Sequence, residues 1–367
     1  MEKRLDLIRL NLTGRVGVRA WRRIVERFGS LAEALRAPLD RLAAVPGIGR
    51  DVAAAIHLVR REDAEREVER AAAAGARLVA FEDPEYPEGL REIHDPPLVL
   101  YALGELRAQE RAVAIVGARR ATPYGLRMAE SIARGLARAA VAVVSGLARG
   151  IDAAAHRGAL AGGGRTIAVL GSGLFRCYPP EHEPLMREIA ERGAVITEFG
   201  LDAPPLPDHF PRRNRIISAI SLGTVIAEAS AKSGSLLTAD WALEQGKEVL
   251  AVPHRADDPG AAGGNRLIRE GAALVECAAD VLGHLGLGPG RSRERDLDPS
   301  AGAAEETPSG LSPTEARIVS LLGPDPRSID EIIEEAALPA STVFATLTRL
   351  ERKRIAKGWP GRLYQRA

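Results

Sequence analysis

The spacing of apolar positions changes character along the chain. From residue 1 to about 75 it is helical: Leu5, Ile8 and Leu12 form one stripe, and Ile24 and Phe28 another. Within this stretch lies Val45-Pro46-Gly47-Ile48-Gly49, followed by Val52, Ala55 and Ile56, which predicts two helices joined by a Gly-x-Gly turn, a helix-hairpin-helix. From Leu78 to about Leu285, short apolar runs alternate with helical stretches. The runs are Val113–Val116, Val141–Val144, Ile167–Leu170, Ala194–Ile196, Thr224–Ala227 and Val249–Val252. Strands this continuously apolar are buried on both faces, and helices between them imply a parallel, doubly wound, Rossmann-like α/β sheet. Residues 286–310 lose the periodicity to Gly, Pro, Ser and charge, as a flexible linker does. In 311–367 two capping boxes, Ser312-Pro313-Thr314-Glu315 and Ser328-Ile329-Asp330-Glu331, open two helices. A third helix starts near Pro339 and runs through Val343, Leu347 and Leu350, and Gly358–Tyr364 reads as a hairpin. Three helices and a hairpin predict a winged helix. The expected organisation is therefore a helical domain (1–75), a Rossmann-like domain (76–285), a linker (286–310) and a winged helix (311–367).

Composition narrows the function. Aromatic residues make up 4% of the 367, so aliphatic side chains and alanine must build the cores. The formal net charge is +1, so any attraction for nucleic acid must come from a local surface. Cys177 and Cys277 have no neighbours at metal-ligand spacing, which argues against a zinc site or a disulfide framework. The start, MEKRLDLIRLNLTG, lacks the apolar run of a signal peptide, and no later stretch is long enough to span a bilayer. The expectation is a soluble, cytoplasmic protein with no membrane insertion.

Ligands of doubly wound sheets bind beyond the carboxyl ends of the strands. There the sequence places Gly117-Ala118-Arg119-Arg120, Ser145-Gly146-Leu147-Ala148-Arg149-Gly150, Gly171-Ser172-Gly173 and Lys232-Ser233-Gly234-Ser235. Glycine lets backbone N–H groups approach an oxyanion, and helix N-termini add positive potential. One such turn is ordinarily a tight turn and nothing more. Four of them, three carrying Arg or Lys, favour an anion-binding surface. Pro211-Arg212-Arg213-Asn214-Arg215 adds basic reach, framed by Phe210 and Ile216-Ile217 with no acid among residues 209–220.

A dinucleotide fits poorly. Gly117-Ala118-Arg119-Arg120-Ala121-Thr122 is not G-x-G-x-x-G, and the next strand ends in Ser145-Gly146 rather than an acid for the ribose. There is no Walker loop, and Gly162-Gly163-Gly164 precedes a strand. Catalytic candidates are thin. Asp152 and His156 stand at i, i+4, which is more often a local hydrogen bond than a dyad. Glu198 and Glu228 end strands and satisfy a general base on spacing alone, without a nucleophile or metal partner. Cys177 has only His182 nearby. Binding is favoured over catalysis, and no cofactor is expected.

These motifs resemble the DNA-processing protein A family (DprA, also called Smf) of bacterial natural transformation. The matching stretches are Val116–Gly125, Ser145–His156, Tyr178-Pro179-Pro180-Glu181, Phe210–Ile217, Ser233–Ala239 and Gly264–Ile268 with Gly271-Ala272, in family order. Val252-Pro253-His254, Glu198-Phe199-Gly200 and Phe175-Arg176-Cys177 depart from it, which bears on loop geometry near His254 and Cys177. The resemblance implies a non-enzymatic protein that binds single-stranded DNA, loads the RecA recombinase and forms a homodimer through its Rossmann-like domain. The resemblance carries over Arg149, Arg213, Asn214, Arg215 and Lys232 with the adjoining Gly/Ser turns. With Arg119 from the turn after the first strand, the candidate DNA-binding residues are Gly117, Arg119, Ser145, Gly146, Arg149, Gly171, Ser172, Arg213, Asn214, Arg215, Lys232, Ser233, Gly234 and Ser235. Phe210 and Tyr178 are candidate stacking platforms. The Gly47/Gly49 turn reads equally well as a phosphate contact or as close helix packing. Arg349, Arg352, Lys353, Arg354, Lys357 and Arg362 give the winged helix a basic edge for protein contact or weak DNA contact. Two rival readings are a nucleotide phosphoribohydrolase-like enzyme, whose required glutamate would be misplaced here, and a winged-helix transcription regulator.

Overall fold

The structure is a computed structural model that describes residues 2–287, 312–323, 327–353, 355–359 and 363–366. Two compact units divide the chain, Met1–Arg291 and Ser292–Ala367. From residue 288 the expected linker lies outside the described residues.

The first unit is organised by a nine-stranded sheet. Its strands are β1 (Ala76–Ala80), β2 (Val99–Gly104), β3 (Ala112–Gly117), β4 (Ala142–Ser145), β5 (Thr166–Val169), β6 (Ala194–Thr197), β7 (Gly223–Glu228), β8 (Glu248–Ala251) and β9 (Ala273–Leu274). They lie in the order β1-β2-β6-β5-β4-β3-β7-β8-β9. All six expected strands are present and mutually parallel. Beyond them, β9 extends the parallel set, while β2 joins β6 antiparallel and β1 joins β2 antiparallel. The sheet is therefore parallel at its centre and mixed at one edge.

Alternation along each central strand separates two cores. Val113, Ile115, Val143, Val225 and Leu250 face one layer, where Ile132 and Leu136 of helix Pro123–Arg138 and Ala155 of helix Ile151–Ala161 cover them. Ala114, Val116, Val144, Ile226 and Ala251 face the other. There they meet Ile189 of helix Glu183–Arg192, Ile216 and Ile217 of helix His209–Ala219, and Ala239 of helix Leu236–Glu244. The same core continues into the N-terminal helices through Ile8, Leu10, Ile24 and Ile56. The helices Leu39–Ala43 and Arg50–Leu58 flank the Gly47/Gly49 turn, so the hairpin of helices is present.

In the second unit, helices Pro313–Leu321, Ile329–Ala336 and Ala340–Arg352 stand with β10 (Arg327–Ser328), β11 (Ala356–Trp359) and β12 (Leu363–Arg366). The strand order is β10-β12-β11, the winged-helix arrangement. Both capping boxes form. The expected basic edge is only partly described. Lys353 is engaged by Glu315 at 2.8 Å, and Arg354 and Arg362 lie outside the described residues.

Lys353 first, then the Ser312 N–H, hold the buried Glu315 carboxyl down to about 2. Because this is below the unfolded value of about 4.3, its contribution is complete above that pH. It is lost as pH falls toward 2. Acid titration of the C-terminal unit, followed by its amide NMR signals, is expected to show a steeper loss of stability across this window in the wild type than in Glu315→Gln.

Candidate nucleic-acid interface

The chain visits β3, β4, β5 and β6 in one direction and then returns to place β7 on the other side of β3. This reversal opens a crevice beyond the carboxyl ends of β3 and β7, where doubly wound sheets take their ligands. The cleft found there holds about 640 Å³. Gly117 at the end of β3 and Arg119 after it, Arg213 and Asn214 from helix His209–Ala219, and Ser233–Ser235 after β7 line it. A smaller recess with Gly146 and Arg149 adjoins it, sharing Arg119, Tyr178 and Phe210.

Close backbone packing sets the floor. The β3–β7 register shifts between Val116 and Gly117, so that Gly117 pairs with Glu228. A Cβ on Gly117 would sit 2.6 Å from the Ile151 side chain and 2.7 Å from the Glu228 carbonyl oxygen. At Gly150, φ is +75° and a Cβ would lie 2.3 Å from the Ala118 oxygen. The 117–120 and 145–150 turns are therefore pressed together at positions only glycine can occupy. Gly150→Ala is expected to cost about 1–3 kcal/mol in backbone strain. Displacement of the Ala118 turn adds to this, and the total can be read as a lowered urea midpoint with unchanged m-value.

Asp152 organises the second turn. Its carboxylate is buried and accepts from the N–H groups of Gly146 (3.1 Å) and Ala148 (3.3 Å). Burial pushes its pKa up, and Arg213 and those amides pull it back. Leu147, between them, adopts φ +58°, and its carbonyl accepts from the His182 ring at 2.9 Å. His156 does not pair with Asp152. Its Nδ1 meets Thr166 Oγ1 at 2.7 Å, and burial pushes its pKa down to about 3, which leaves a neutral ring.

The basic residues divide into exposed and buried. Arg119 is exposed, with its guanidinium 5.2 Å from the Phe210 ring centroid. Phe210 in turn lies 5.7 Å from Tyr178, which is 38% exposed, and packs on Gly171. An aromatic and guanidinium platform thus lines the cleft. Lys232 is exposed and, among the described residues, enters no ion pair. Arg149 is exposed too, but its Nε donates to Glu181 at 2.6 Å. Arg213 is 4% exposed: Nη1 donates to the carbonyls of Gly146 (2.7 Å) and Val169, and Nε donates to Asn214 Oδ1 at 3.2 Å. Burial lowers its pKa to about 10, which leaves it a cation at neutral pH beneath the floor. Asn214 Nδ2 donates to the Gly234 carbonyl at 3.4 Å and ties this helix to the 232–235 turn. In that turn Ser233 Oγ and Ser235 Oγ lie 2.7 Å apart, and Gly234 faces open space.

Other expected contacts lie elsewhere. Ser145 Oγ donates to Ile115 O and Ser172 Oγ to Arg176 O, both at 2.6 Å, so neither hydroxyl points into the cleft. Arg215 is turned away: it is buried, donates to Glu198 at 2.7 Å and lines a separate cavity beside Trp241 and Lys247. Glu198 also takes Arg212 at 2.8 Å. The basic cluster therefore has its acid partner, supplied from the end of β6 and not from neighbouring sequence. This corrects the expectation that Arg215 grips phosphate.

Glu228 accepts from Thr122 N (3.0 Å) and Thr122 Oγ1 (2.6 Å) at the start of helix Pro123–Arg138. A dinucleotide pyrophosphate would sit at this helix N-terminus, and a carboxylate already occupies it. Burial, then Glu183 and Glu181, push the Cys177 thiol up to about 11, which makes it a poor nucleophile. Among the described residues no group of three or more His, Cys, Asp or Glu is placed to hold a metal ion.

Comparison with known proteins adds independent observations. Residues 77–286 match the sequence profile described as DNA recombination-mediator protein A, residues 1–70 a DprA-like N-terminal HHH domain, and residues 302–361 a DprA winged helix domain. The chain is 36% identical to the Smf protein of Synechocystis over 78% of its own length and 79% of that protein's. It is 38% identical to a putative DNA processing protein DprA of Mycobacterium tuberculosis over 83% and 82%. Among solved structures, the Streptococcus pneumoniae DNA processing protein A superposes with a TM-score of 0.66 at 33% identity, covering 75% of this chain and 95% of that one. The Helicobacter pylori protein, solved for its single-stranded DNA binding mode, gives 0.52 at 31% identity, covering 57% and 95%.

Proposed function

The chain belongs to the DNA recombination-mediator protein A family, and from that premise we propose that it binds single-stranded DNA in the cleft beyond β3 and β7. The observation that carries this reading is the platform of Arg119, Phe210 and Tyr178 beside the open Ser233-Gly234-Ser235 turn. Phosphates meet Arg119, Lys232 and the turn amides, with Arg149 at the recess. Arg213 adds charge from beneath, and Asn214 and Gly146 hold the backbone in place. A base stacks over Phe210 or Tyr178. Such a site grips any sequence, because every base has a π-face. Ser145, Gly171, Ser172 and Arg215 act as packing and positioning residues.

The same reading makes the protein a binder and not a catalyst. Glu198 and Glu228, the two strand-end carboxylates, are spent on Arg212, Arg215 and Thr122, which counts against the phosphoribohydrolase alternative. As a recombination mediator it hands its strand to RecA in the cytoplasm during transformation. It acts as a homodimer through the Rossmann-like domain. No described helix is long and apolar enough to cross a membrane.

Fluorescence anisotropy with labelled oligo-dT across a salt series tests the proposal. Affinity should fall with salt, with a log–log slope of about −0.7 per phosphate neutralised. A chain truncated after about residue 310 should keep most of its affinity, whereas a winged-helix regulator would lose it. Absence of binding would sink the reading.

A further inference from the structure

Helix Val18–Phe28 buries Val18 and Ile24 and turns a row of arginines outward. Arg19, Arg22, Arg23 and Arg27 are exposed, and at 100° per residue they fall on one face; exposed Arg15 precedes them. Among the described residues none of the five enters an ion pair. Arg23 donates to the Pro46 carbonyl at 2.7 Å, Arg22 lies 5.5 Å from the Phe81 ring centroid, and Arg19 touches His94. Exposed Glu26 stands on the same face, and nearby Asp95 is directed at Arg215 at 3.6 Å. In a chain of formal net charge +1, five arginines against Glu26 on the same face leave a concentrated, net-positive patch.

Its position gives it meaning. Helix His209–Ala219, which sends Phe210, Arg213 and Asn214 into the cleft, also sends Arg212 to the Gly14 carbonyl at 3.1 Å. The loop that starts the arginine row is thus bonded to the wall of the cleft. The middle of the row meets the Pro46-Gly47 turn of the helical hairpin, where a Cβ on Gly47 would contact Arg23 at 2.6 Å. A helix of 11 residues extends the path by about 16 Å.

We infer that this face is a second nucleic-acid surface, a track that carries the phosphate backbone of a strand leaving the cleft across Arg15, Arg19 and Arg23, past the Gly47 turn, to Arg27. The inference rests on the cleft binding single-stranded DNA. The track makes no base contact, so it lengthens the bound segment without adding sequence preference.

The test uses the full-length protein, an oligo-dT hexamer confined to the cleft and a strand of about 30 nucleotides. In the triple variant Arg15→Gln, Arg19→Gln, Arg27→Gln, affinity for the long strand is expected to fall about tenfold. Its salt slope should become shallower by about 2, or 0.7 for each lost contact. The hexamer should bind as before, and the matching Arg→Lys triple should keep the long-strand affinity. If the wild type binds both strands and the Gln triple is indistinguishable from it, this inference falls and the cleft reading stands. If the wild type binds neither, both fall. Equal loss for hexamer and long strand would mean damage to the cleft itself and also overturns the track. Loss of poly-L-glutamate binding with DNA binding intact would assign the face to an acidic protein surface instead.

Discussion

Arg119→Ala is expected to weaken oligo-dT binding by about 10- to 100-fold. A hydrogen bond to a charged group is worth about 1.5–3 kcal/mol, and each 1.4 kcal/mol is about tenfold. Arg119 is exposed, without an acid partner among the described residues, and already oriented over Phe210, so little ordering cost offsets its contact with phosphate. The salt slope should become shallower by about 0.7, as for one lost phosphate. Thermal stability should hardly change, because the side chain supports no buried partner. Arg119→Lys restores the charge but not the planar stacking, and should recover only part of the loss. Arg149→Ala should cost less, since Glu181 at 2.6 Å competes for that guanidinium. An Arg119→Ala protein within about twofold of the wild type across the salt series would remove the cleft from consideration.

The second large effect concerns stability. Asp152→Ala leaves Arg213 buried without its compensating carboxylate and frees the amides of Gly146 and Ala148. Leaving a buried donor unsatisfied costs about 1–3 kcal/mol for each group, a large part of what holds a domain folded. Urea denaturation should register it as a drop in midpoint. Asp152→Asn keeps the shape and an acceptor oxygen but not the charge, so it should fall between the two. DNA binding should decline in both, because the 145–150 turn loses its anchor at Leu147, a non-glycine residue at positive φ. If Asp152→Ala were as stable as the wild type, Asp152 would not be the anchor of the 145–150 turn.

Much of the fold was legible because its signals are local. Apolar runs of four residues between helical stretches can pack only as doubly buried strands, and all six form. The capping boxes at Ser312 and Ser328 are written in adjacent residues and close as expected. β1, β2 and β9 were not named by that pattern. β9 is two residues long, and β1 and β2 are defined by pairing along an edge, an antiparallel extension no central run announces.

The candidate site was legible in part. Turns that follow strands converge in any doubly wound sheet, so Gly117, Arg119, Gly146, Arg149 and the 233–235 turn could be grouped from order alone. The fate of each cation could not. Arg212, Arg213 and Arg215 are neighbours in sequence and point three ways, to Gly14 and Glu198, into the cleft floor, and into a separate cavity. Their acid, Glu198, comes from the end of another strand. Asp152 and His156 have dyad spacing, yet one caps a turn and the other bonds to Thr166.

By itself, the sequence determined the six central strands, the parallel doubly wound class and the edge of the sheet where the Gly/Ser turns collect, since these follow from periodicity and from chain connectivity. Tertiary structure alone decided which cations stay free for a ligand. That choice depends on which acids and carbonyls arrive from distant strands, and on which side of a helix each arginine emerges. Electrostatic partners are chosen by distance in space, and a linear pattern carries no record of it.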